Sequence, residues 1–109
     1  MKTEKNKDAL KITNQFRAKN AMVYDLKADG NRLTVRVFPR ERSTDSGEWR
    51  VEARTNDAQE EAVVAEWGAT RAEALGEVAK SWVTKAPAHG LPMFDWEAVA
   101  QVLTSVRAL

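Results

Sequence analysis

Within Leu33–Phe38 and Glu48–Thr55 apolar and polar residues alternate, the period of two that turns successive side chains to opposite faces of a strand. Beyond Gly68 the apolar residues recur at three and four, which is the helical period. Met22–Lys27 and Leu33–Phe38 flank Asp29-Gly30-Asn31, a glycine-containing turn that suits a hairpin. In the second of these runs Leu33, Val35 and Val37 point one way, and Thr34, Arg36 and Phe38 the other. Pro39 cannot donate to a ladder and ends the run, and Arg40 to Gly47 reads as a polar loop. Glu48–Thr55 alternates again, with Trp49, Val51 and Ala53 on one face and Glu48, Arg50, Glu52 and Arg54 on a solvated one. After the polar turn Asn56–Glu60, the run Ala62–Trp67 is almost wholly apolar, as suits a strand covered on both faces or a short edge.

Gly68 breaks this strand, and Thr70 with Glu73 has the spacing of a capping box. Leu75, Val78, Ala79, Trp82 and Val83 then form one helical stripe, with Gly76 outside it at a cost of about 1 kcal/mol relative to alanine. The spacing predicts a helix over Thr70–Thr84 that stops before Pro87 and leaves His89 and Gly90 in a loop. Asp95 caps a last helix whose stripe is Trp96, Val99, Ala100, Leu103 and Val106. At the other end Asp8 caps a short helix over Asp8–Lys19, with Leu10, Ile12 and Phe16 along one side. Met1–Lys7 has no apolar residue after the initiator and is expected to be a disordered basic leader. The predicted fold is α+β over residues 8–109: an antiparallel meander of three to four strands, with two C-terminal helices on one face.

A chain of 109 residues with 43% apolar and 30% charged residues is one soluble globular domain with a single core. No apolar run is long enough to cross a bilayer, so no membrane role is expected. The absence of cysteine removes disulfide and thiolate chemistry and fits a cytoplasmic protein. The net charge of +1 hides an asymmetry: residues 1–27 hold seven Lys/Arg against three acids, a balance of +4, and the rest ten against thirteen, a balance of −3. A basic leader can be a nucleic-acid arm, although a solvated terminus is the commoner outcome.

Chemistry is sparse. His89 has no second histidine or any cysteine to share a metal and reads as a surface loop residue. The serines lack a nucleophile context, the carboxylates alternate with arginines, and no glycine-rich phosphate loop occurs. No catalytic, metal or cofactor residue is assigned, and an enzyme is not expected. Trp49, Trp82 and Trp96 sit at core positions, whereas Trp67 precedes the strand-breaking glycine and is a candidate partner anchor. Val102 widens the apolar side of the last helix beyond what one packing partner needs, which makes it a second candidate. A homodimer through that helix or the last strand follows as an expectation. Met22–Lys27, if it lies at an edge, is protected by Asp25 and Lys27, and Ala62–Trp67 is the more open of the two. The alternative is nucleic-acid binding through Arg36, Phe38, Arg50 and Arg54, since basic and aromatic residues on an antiparallel sheet can read single strands. Glu48 and Glu52 on that face favour instead solubilising Arg–Glu pairs across strands.

The hairpin, the third strand and the helix opening at Thr70, Glu73, Ala74 and Leu75 resemble the N-terminal domain of HicB-type antitoxins. "LTVRVF" and "AEWGATRAEAL" are also similar to the later strands and last helix of double-stranded-RNA-binding domains. The likeness covers roughly residues 20 to 84 and implies a β-β-β-α unit with a regulatory or RNA-binding role. The combined expectation is a non-catalytic interaction or regulatory domain that binds a protein partner or itself.

Overall fold

The computed structural model describes residues 10–18, 21–28, 30–39, 49–55 and 62–105. The expected leader Met1–Lys7, the Asp8 cap, the loops around 40–48 and 56–61, and Val106 lie outside the described residues. Five strands, β1 (Lys11–Arg17), β2 (Met22–Ala28), β3 (Asn31–Phe38), β4 (Trp49–Thr55) and β5 (Ala62–Gly68), precede two helices, α1 (Arg71–His89) and α2 (Trp96–Ser105). The strands form one antiparallel sheet in the order β1-β2-β3-β4-β5, so each strand pairs with its neighbours in the chain. The class is α+β, with five strands among the described residues instead of three to four.

The additional strand is β1, where the sequence pattern suggested a helix. Leu10 and Ile12 are two residues apart, which puts them on one face of a strand but about 200° apart on a helix. Pairing with β2 satisfies backbone donors and acceptors that a thin apolar stripe could not have protected in a short helix. The register shifts between Ile12 and Asn14, a bulge at Thr13 whose Oγ1 donates to the Asp25 carbonyl at 3.2 Å. Ile12 therefore pairs with Leu26 on the inner face, whereas Phe16 pairs with Val23 on the outer one. Met22–Ala28 is consequently an internal strand, and the sheet edges are β1 and β5.

The inner face carries Met22, Tyr24 and Leu26 of β2, Leu33, Val35 and Val37 of β3, Val51 and Ala53 of β4, and Val64 of β5. Register stacks these in rows, for example Tyr24–Val35–Ala53–Val64, and both helices pack onto them. α1 buries Ala74, Leu75, Val78, Trp82 and Ala86, so the stripe is rotated from the expected one and Val83 is exposed. Thr70 Oγ1 accepts from the Glu73 N–H at 3.1 Å, while Glu73 Oε1 accepts from the Ala69 N–H, one residue earlier than a reciprocal box requires. Gly68 lets β5 run directly into this helix start. A Cβ there would lie 2.5 Å from the Ala74 nitrogen.

α1 does not stop before Pro87. It continues to His89 and ends on Gly90, whose left-handed φ of 65° closes the cap while the Leu91 N–H donates to the Ala86 carbonyl at 3.1 Å. Pro87 is exposed, opposite the buried stripe, so the N–H it lacks is missing on the solvent side, and buried Ala86 and Leu91 hold the last turn. The connection to α2 wraps Trp82, whose Nε1 donates to the Pro92 carbonyl at 2.9 Å. Phe94 and Trp96 pack on its indole at centroid distances of 5.8 and 5.6 Å. Asp95 caps α2 as expected, accepting from the Ala98 N–H at 3.2 Å.

Candidate interaction surface on the outer sheet face

With both helices on the inner face, the residues of opposite parity line the outer one. Register arranges them in rows across the strands. One row is Phe38–Arg50–Trp67 and the next is Phe16–Val23–Arg36–Glu52–Ala65. A third runs Asn14–Asp25–Thr34–Arg54–Val63. Alternation in the sequence had already put Arg36, Phe38, Arg50 and Arg54 on one face. Trp67 joins them, because β4 pairs with β5 so that Arg50 stands between Phe38 and Trp67.

The first row is a stacked clamp. The Arg50 guanidinium carbon lies 5.2 Å from the Phe38 ring centroid and 5.3 Å from that of Trp67, so both rings attract the same cation. Arg50 Nη2 also meets Glu52 Oε2 at 2.6 Å, and Arg36 Nη1 approaches Glu52 Oε1 at 3.7 Å. One carboxylate thus ties the arginines of two rows together. The expected Arg–Glu pairing across strands forms, and it also fixes the geometry of the aromatic clamp. Around it Phe16 is 45% exposed, Val63 45% and Trp67 39%, while Val23, between Phe16 and Arg36, is buried.

Toward the β2–β3 turn the same face holds a recess of about 380 Å³, lined by Asp25, Lys27, Arg32, Thr34 and Arg54 together with Thr13 of the bulge. Thr34 Oγ1 donates to Asp25 Oδ1 at 3.0 Å, which holds the carboxylate against the sheet. The second partner candidate, Val102, is half-buried on α2 against the core and stands apart from this face. His89 occupies the exposed last turn of α1, not a loop. Among the described residues no group of three or more His, Cys, Asp or Glu is placed to hold a metal ion. No helix among them is long and apolar enough to cross a membrane.

The sequence pattern missed Phe16 and Val63 as members of the surface. The signal for Phe16 was the two-residue spacing of Leu10 and Ile12, and for Val63 it was the alternation Val63, Ala65, Trp67. Comparison with protein-family models, curated proteins and solved structures finds no match.

Proposed function

We propose that this chain is a non-catalytic interaction domain, and that it engages a protein partner, or a second copy of itself, through the outer face of its sheet. The observation that supports this most is the Phe38–Arg50–Trp67 clamp beside exposed Phe16 and Val63. Aromatic residues and arginine dominate the binding energy of protein interfaces, where a cation already held between rings loses little freedom on docking. Glu52 strengthens the preference for protein, because it offsets part of the positive charge that a phosphate backbone would use.

The test is affinity capture with the immobilised chain, comparing wild type with Phe38→Ala and Arg50→Ala, with circular dichroism to check the fold. Specific partners held by wild type are expected to be lost from both variants and kept by Lys80→Ala on the exposed side of α1. An unchanged captured set would sink the reading.

The placement of Arg36, Arg50 and Arg54 across β3 and β4 favours a second reading, binding of single-stranded nucleic acid. Three phosphate contacts would give a slope of about −2 for the logarithm of the binding constant against that of salt. Fluorescence anisotropy with an oligonucleotide at low ionic strength measures it. The Arg36→Ala/Arg50→Ala/Arg54→Ala variant should then lose binding while keeping its fold, and binding that is undetectable or independent of salt would exclude this reading.

A further inference from the structure

The two edges of the sheet differ in how they meet another strand. β1 carries Lys11, Asn14, Gln15 and Arg17 among its seven residues and is interrupted by the bulge at Thr13. Charge and a bulge both discourage edge-to-edge pairing. β5 has a continuous register with β4, no proline, and one ionisable residue, Glu66. That residue points to the helix-bearing face, where its Oε2 accepts from Ser81 Oγ at 2.6 Å. The single charge of the strand is therefore held by the chain's own helix and leaves Val63, Ala65 and Trp67 unguarded on the outer face.

We infer that β5 pairs antiparallel with β5 of a second copy, centred on Ala65, to form a continuous ten-stranded sheet. This rests on the reading of the chain as an interaction domain and adds the β5 edge as its contact with a second copy, which leaves the outer face of the joined sheet open. Residues opposite each other on paired strands share a face, so the two-fold axis of such a pair must pass through a residue and not between two. Centring on Ala65 pairs all seven residues of Ala62–Gly68 and sets Trp67 opposite Val63 of the second copy, twice over. Centring on Glu66 would oppose two carboxylates, and centring on Val64 would place Trp67 opposite a position before the strand begins. The exposed side chains are symmetric about a small central residue, a pattern that fits a copy of the same strand. The pairing would also extend the Phe38–Arg50–Trp67 row into Val63 and Arg54 of the second copy, joining the clamp of one chain to the recess of the other.

Light scattering from micromolar to hundred-micromolar concentration should give twice the chain mass for wild type. Ala65→Lys, which puts a charge at the two-fold axis, should give a monomer with an unchanged circular-dichroism spectrum. The chain has no cysteine, so Ala65→Cys introduces one thiol per copy. Its partner's Cβ would stand about 4.5–5.5 Å away, close to the spacing a disulfide needs. Mild oxidation should link Ala65→Cys into a covalent dimer, while Val63→Cys, whose like residue would be roughly 13 Å away along the strand, should stay unlinked. A folded wild-type monomer throughout the concentration range, or equal crosslinking of the two cysteine variants, would overturn the pairing. A monomer whose captured partners still depend on Phe38 and Arg50 would overturn the pairing alone and leave the outer-face reading intact.

Discussion

The Tyr24 hydroxyl lies in the core and finds no hydrogen-bond partner among the described residues. Burial raises its pKa above the ordinary value of 10.0, outweighing the opposite pull of the Arg71 and Arg17 charges. Below about pH 10 the group is neutral in both folded and unfolded chains. Above it the unfolded chain ionises first, so stability falls as pH rises through the folded pKa. Tyr24→Phe should therefore lessen the alkaline loss of melting temperature, with a change of no more than about 1 kcal/mol at neutral pH, where only an unpaired hydroxyl is removed. Tyr24 is the sole tyrosine, so an absorbance titration reads this group directly. Two glycines make a second residue-level contrast. At Gly68 an added methyl meets the Ala74 nitrogen at 2.5 Å and the Glu73 Cβ at 2.8 Å, both fixed to the helix backbone. Gly68→Ala should destabilise by about 1–3 kcal/mol through forced separation of β5 and α1. Gly76 is exposed on the helix with nothing within 4 Å, and Gly76→Ala should stabilise by about 0.5–1 kcal/mol. Urea denaturation of the two variants should move in opposite directions.

At the scale of elements, α1 binds the sheet through a stripe centred on Val78 and Trp82, both fully buried. Leu75→Ala, at the margin of that stripe, should cost about 2–5 kcal/mol in chemical denaturation, from lost burial and the cavity left behind. An unchanged midpoint would mean the helix packs by another face. Strands β3 and β4 and both helices were legible from period, because each pairs a solvated face with a buried one; β2 and β5 were legible from the turn and the glycine that bound their apolar runs. β1 was not, since Gln15, Phe16 and Arg17 are exposed on either side and leave no alternation to read. What makes it a strand is the edge of β2, a partner that local pattern does not reveal. Pro87 misled for a similar reason. A proline inside a helix removes one backbone bond and crowds the carbonyl four residues back. Only the packing shows that here this falls on the exposed side of a last turn held by Ala86 and Leu91.

At the scale of the whole molecule, the candidate surface was half legible. Alternation put Arg36, Phe38, Arg50 and Arg54 on one side, but which residue of β5 stands beside Arg50 depends on register, and the connecting residues after Thr55 do not encode it. Trp67 was thus read as a separate anchor when it belongs to the same clamp. The plain succession of strands has a further effect during synthesis. Because every pairing joins chain neighbours, loop closure is cheap and the meander can assemble as it emerges. Its apolar inner face, with Leu26, Leu33, Val35 and Val51, then stands bare until the residues of α1 have also been made. The last strand completed in that interval is β5, whose outward residues carry no charge. A nascent chain at this stage is a sticky, one-sided sheet, and the danger of aggregation peaks there. A fragment ending at Gly68 should accordingly bind a hydrophobic dye and precipitate at concentrations where the chain extended to Gly90 stays dispersed.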